Sequence, residues 1–246
     1  MLKKLQEIFL QNKTVRQTVF KNTFWLGVSN IGGRLIRGIL IIYAARVLGA
    51  SEWGVFSYVV GLAALLSIFS DLGVSQILIK ETARAENEEE KSKMLSTAFF
   101  VKIILIIIGV LMIILGGPYL TTIEGADELL TLVALIFIFD SLREFGFALN
   151  RARERMEKEA ALYFLTNIAI VVFGLIFLKI SPTVKYFTVA YAAGTSIGAI
   201  ATLLVLRKHF KNLFSNFSKK LIKPILTSAW PIAISAMIGS LTINTD

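Results

Sequence analysis

Thr23, Asn30, Arg34 and Arg37 stand at i, i+7, i+11 and i+14, so on an α-helix they form one polar stripe. The stripe runs into an apolar stretch, SNIGGRLIRGILIIYAARVLG, in which Leu35, Ile39 and Ile42 take the other side. A permanent cation at the centre of a membrane helix costs about 2.5–3.5 kcal/mol, so each arginine needs a polar destination. Three are open. A guanidinium facing a cavity binds phosphate through a bidentate fork and keeps its proton. It could instead pair with an internal acid, Asp71 or Asp140, or snorkel to the cytoplasmic interface.

Other ionisable residues also fall in apolar surroundings. Asp71, in FSDLG, is expected toward the outer end of the second apolar span, and Asp140 lies within the fourth, with Arg143 and Glu144 at helical neighbour spacing. A local Asp140–Arg143 pair is the simpler expectation. The sharper one makes Asp71 or Asp140 a counter-ion for the arginines or a site for a coupling cation. Lys102, early in the third span, is expected to snorkel, and His209, the only histidine, lies in a basic loop and is given no role. Walker, HExxH, GxGxxG and nucleophile-elbow patterns are missing, and one histidine with no cysteine makes no metal cluster. A transporter or scaffold is therefore expected rather than an enzyme, with no cofactor and no metal.

The elements that must hold these residues are membrane helices. The chain has 246 residues, 55% of them hydrophobic and 17% charged, and its mean hydropathy of +0.71 fits a polytopic membrane protein better than soluble domains. A hydrocarbon core about 30 Å thick takes about 20 apolar residues per helix. Spans are expected near 23–47, 55–78, 98–115, 129–149, 162–180 and 187–206, with a seventh starting near Ile225. The N-terminal segment reads as an amphipathic helix on the membrane surface, with Leu2, Leu5, Ile8 and Phe9 opposite Lys3, Lys4 and Glu7.

Charge placement then gives an orientation. Twenty lysines and arginines fall in the N-terminal segment and the even-numbered connections, against three in the odd-numbered ones. That asymmetry puts the N-terminus in the cytoplasm. It also accounts for the net charge of +9 without a nucleic-acid partner, and sets a basic rim against membrane lipids. ETARAENEEEKSK and RARERMEKEA are expected to be helical extensions, the second with a Glu154–Lys158 i, i+4 pair. Trp25, Trp53 and Trp230 fall near span ends, where indole favours the interface. Ser29, Gly33 and Leu35 share the spacing of Ser235, Gly239 and Leu241, a faint repeat that helix packing alone also explains.

The run AARVLGASEWGVFSYVVGLAALLSIFSDLGVSQILIKETAR carries Arg46, Leu48, Gly49, Glu52, Gly54, Phe56, Asp71, Leu72, Gly73 and Arg84. It resembles the first two helices of the polysaccharide biosynthesis or O-antigen (Wzx-type) flippase family, within the multidrug, oligosaccharidyl-lipid and polysaccharide exporter group. WPIAIS at 230–235 resembles the start of that family's seventh helix. The resemblance implies an all-α polytopic membrane protein: the six-helix N-terminal lobe of a MATE-like two-lobe transporter, plus part of a seventh helix. Its expected division is a cytoplasmic or interfacial segment at 1–20, the six-helix lobe at 21–210, an inter-lobe linker at 211–224 and a truncated helix at 225–246.

Because family members normally have twelve or more helices, the chain is expected to be a fragment, with pairing to a second chain as the alternative. The implied activity is alternating-access export of a polyprenyl diphosphate-linked oligosaccharide across the cell (inner or plasma) membrane. Arg34, Arg37, Asn30 and Thr23 would then meet the anionic head group, with a glycan polymerase or glycosyltransferases as further partners. A cation-coupled multidrug exporter and a non-transporting membrane scaffold are the competing readings.

Overall fold

The computed structural model describes residues 14–120, 123, 125–210 and 216–243, with side chains as far as Ser235. Of the amphipathic segment expected over 1–20, residues 1–13, with Leu2, Leu5, Ile8 and Phe9, lie outside them. Among the described residues every regular element is a helix, and the chain is an all-α polytopic membrane protein. The elements are α1 (Val15–Asp71), α2 (Val74–Arg84), α3 (Glu88–Leu111), α4 (Gly117–Leu120), α5 (Leu130–Ala152), α6 (Met156–Ile180), α7 (Val184–Phe210) and α8 (Lys219–Ile243). A π-helical turn, Met112–Gly116, joins α3 to α4.

α1 is two arms. Its one non-helical residue, Gly49, has φ 76° and ψ 174°, a backbone state that glycine reaches without a Cβ penalty. Leu40 and Ala44 from the first arm share a core cluster with Phe56 from the second, although a straight helix would put Leu40 and Phe56 about 24 Å apart. The chain therefore doubles back at Gly49, where the sequence predicts the outer turn. Glu52, just past the reversal, accepts the Val184 N–H at the start of α7, a carboxylate set against a helix N-terminus. Trp53 packs on Phe56 and Phe187.

The second span departs from its expected form. The predicted helix over 55–78 is broken at Leu72 (φ 41°) and Gly73 (φ 79°), which separate α1 from α2. Glycine is required at 73 on two grounds: the left-handed backbone, and a Cβ there would lie 2.6 Å from the Ala229 carbonyl oxygen of α8. The direction of the arm also corrects the expectation for Asp71. Because the second arm runs back toward the N-terminal end, Asp71 lies toward the basic connection between spans two and three, not toward the outer turn.

Helices Val15–Arg84, Glu88–Tyr119, Met156–Ile180 and Val184–His209 are each long and apolar enough to cross a membrane. The first contains both arms of α1, and α5 falls outside the set because Asp140, Arg143 and Glu144 lie in its middle. α3 begins with Asn87 as N-cap, its side chain accepting the Glu90 N–H at 2.9 Å. Glu154 sits in the turn between α5 and α6 with φ 55°, outside the helix that carries Lys158, so the expected i, i+4 pairing geometry does not arise. Instead the turn is pinned by fully buried Lys21, which donates to the Glu154 carbonyl and to Glu157 Oε2 at 3.1 Å.

Candidate functional site

Close packing sets up the polar stripe. Gly32 and Gly33 face Phe164 and Tyr163 of α6: a Cβ at 32 would sit 2.8 Å from the Phe164 ring, and one at 33 would overlap Tyr163. With no side chain between them, α1 and α6 approach closely, and Asn167 arrives beside Arg37. The Arg37 Nε donates to Asn167 Oδ1 at 2.9 Å. Asn167 is held in turn by its Nδ2, which donates to the Tyr163 carbonyl at 2.8 Å. The Arg37 guanidinium also lies 5.6 Å from the Tyr191 ring centroid of α7, within cation–π range.

Arg37 is thus half-buried and fixed by neutral partners, while Arg34, Asn30 and Thr23 are exposed along the same face. Asn30 donates its Nδ2 back to the Leu26 carbonyl at 2.8 Å. Leu35, Ile39 and Ile42 are exposed as well, on the adjoining apolar side. Among the described residues no ion pair involves Arg34 or Arg37.

The aspartates are engaged elsewhere. Asp140 Oδ1 lies 2.7 Å from Arg143 Nη1, the local pair that the spacing suggests. That contact is close without being aligned as a hydrogen bond, since both atoms lack a hydrogen-bond partner. Arg143 further contacts Glu144 at 3.5 Å and the Phe147 ring at 5.6 Å. Asp71 accepts from Ser75 at 2.5 Å and from Lys102 at 3.3 Å.

Lys102 therefore does not snorkel. It is 1% exposed, and its ammonium also donates to Ser70, which is hydrogen-bonded to Ser141 of α5. The helix break lies beside this cluster: Ser70 and Asp71 close α1, and Ser75, which donates to Asp71, stands in the first turn of α2. Asp71 and Asp140 line one cavity of about 220 Å³, with Lys102, Glu144 and Arg151 among its walls.

With this geometry the family can be compared. The model of the family described as "Polysaccharide biosynthesis protein" matches residues 19–246. The chain belongs to the polysaccharide biosynthesis family. No curated protein and no solved structure matches it. Within this family member, the residues legible from sequence divide into one assembled group and one separate group. Thr23, Asn30, Arg34 and Arg37 share a face, whereas Asp71 and Asp140 meet across a different cavity. Asn167 and Tyr191 are not among the residues singled out from sequence, although Asn167, with Thr166, interrupts the apolar run ALYFLTNIAIVVFGLIFL and carries that signal in plain view.

Proposed function

We propose that the chain takes part in flipping a polyprenyl diphosphate-linked oligosaccharide across the cell membrane by alternating access, with Arg34 and Arg37 receiving the diphosphate. The observation that carries this reading is an uncompensated pair of cations on an exposed face of an apolar helix. Arg37 is oriented by an amide and a phenol ring, neither of which cancels its charge, and among the described residues no ion pair involves Arg34. A diphosphate supplies the missing charge and accepts bidentate hydrogen bonds. Asn30 and Thr23 extend the face with groups suited to sugar hydroxyls.

A cationic drug would meet two arginines here, which disfavours multidrug export. A scaffold would bury these arginines on Asp71 or Asp140, and both aspartates instead engage Lys102 and Arg143. The Asp71–Asp140 cavity remains, in this proposal, the place for ion coupling, and glycan-assembling enzymes are the natural partners.

The test is translocation of a labelled lipid diphosphate oligosaccharide by the full-length protein in proteoliposomes. Each charge-assisted hydrogen bond is worth about 1.5–3 kcal/mol, so the Arg34→Ala, Arg37→Ala double variant is expected to lose transport roughly ten- to hundredfold or more. Lysine at both positions should restore only part of it, because the planar fork is lost. Unchanged transport in the alanine variant removes the phosphate role.

A further inference from the structure

A second polar cavity lies at the end of the molecule where the N-terminal part of α1, the α2–α3 connection, the α5–α6 turn and the end of α7 meet. Its volume is about 810 Å³, within the range of small-molecule sites. Five cations line it, Lys91, Arg151, Arg153, Arg155 and Lys158, against two carboxylates, Glu88 and Glu154. Three of the five have a carboxylate partner: Lys91 has Glu88, Arg151 has buried Glu159, and Arg155 shares Glu157 with Lys21. Arg153 and Lys158 have no ion pair among the described residues. Arg153 Nη1 lies 3.1 Å from Nε2 of His209, and Glu88, which interacts with it electrostatically, is itself paired with Lys91.

A positive rim alone would follow from membrane topology, but the wall behind it carries a second and independent signal. Among the described residues Asn22 Oδ1, Thr82 Oγ1 and Asn150 Nδ2 have no hydrogen-bond partner, on residues 8%, 7% and 1% exposed, and all three residues line this cavity. Buried polar atoms left unpaired are uncommon and costly. Three of them from three different elements around one basic cavity mark a place built for a polar occupant. The N-terminus of α6 opens onto the same space and has no side-chain cap.

We infer that this cavity binds a phosphate ester that also bears hydroxyl or amide groups, its phosphate at Arg153 and Lys158 and its neutral polar groups toward Asn22, Thr82 and Asn150. The site is separate from the Arg34–Arg37 face and does not depend on the transport reading. The phosphate comes either from a membrane lipid head group or from a soluble ester.

The experiment uses the full-length protein carrying Arg34→Ala and Arg37→Ala, so that those arginines do not contribute, in nanodiscs of neutral phosphatidylcholine. Calorimetric titration with inorganic pyrophosphate should show one saturable site. Adding Arg153→Gln and Lys158→Gln, both at exposed positions, should weaken it at least about tenfold with the melting temperature unchanged, as expected for loss of charge-assisted contacts. Repeating the titration in phosphatidylglycerol discs separates the sources: competition assigns the site to a lipid head group, and undiminished binding assigns it to a soluble ester. No saturable binding in neutral discs, or an equal loss from Lys219→Gln with Lys223→Gln outside the cavity, overturns the inference.

Discussion

At the scale of single residues, an ionisable group in an apolar helix is understood through its partner. Arg37 has Asn167 and Tyr191, so Asn167→Ala should leave the guanidinium in place as a charge but without its aim. The expected result is a loss of roughly tenfold in head-group affinity, smaller than for Arg37→Ala, measured as competition by a short-chain lipid diphosphate. Lys102 shows the opposite case. With its ammonium buried against Asp71, removal by Lys102→Met strands a carboxylate, and about 3–5 kcal/mol of stability should go with it. The double variant Lys102→Met, Asp71→Asn should recover most of that loss in the same denaturation assay, because no uncompensated charge remains. Spacing on one helix was enough to find the arginine stripe. It could not reveal Asn167, Tyr191 or the partner of Lys102, because those contacts join residues about 30 to 150 positions apart.

Helices in this protein are positioned by glycines and by breaks. Gly33 abuts Tyr163 with no room for a Cβ, whereas Gly61 has nothing within 4 Å of where a Cβ would lie. Gly33→Ala should therefore push α6 from α1, costing about 1–3 kcal/mol of stability and weakening the Arg37–Asn167 hydrogen bond. Gly61→Ala should leave stability close to wild type, and paired thermal melts of the two variants distinguish these outcomes. The break at Leu72–Gly73 was hidden from the sequence reading for a physical reason. SDLGVSQ falls between the apolar stretches GLAALLSIF and ILI, and the break is held by partners remote in sequence, α8 lying against Gly73 and Lys102 bonding Asp71. The reversal at Gly49 was legible because turn residues and charges there interrupt two apolar runs.

For the whole molecule, hydropathy and charge asymmetry were sufficient to give an all-α membrane protein, since water exclusion forces every spanning segment to satisfy its backbone internally. From the charge asymmetry we propose a cytoplasmic N-terminus, and the chain offers a direct check because it holds no cysteine. Glu86→Cys and Lys185→Cys, both exposed and at opposite ends of the helices, should react with an impermeant maleimide from the cytoplasmic and the outer side respectively. Labelling of both from one side would refute the topology. The basic cavity was beyond sequence reading, because its three unpaired polar groups come from residues 22, 82 and 150, brought together only by folding.

The contact between Gly73 and Ala229 has a mechanical meaning. The backbone of the break lies directly against the Ala229 carbonyl and the Ile232 Cβ of α8, with no side chain on the Gly73 side to absorb a displacement. A tilt of α8 is therefore expected to bear first on the joint that carries Asp71 and its lysine on one side and Val74, at the start of α2, on the other.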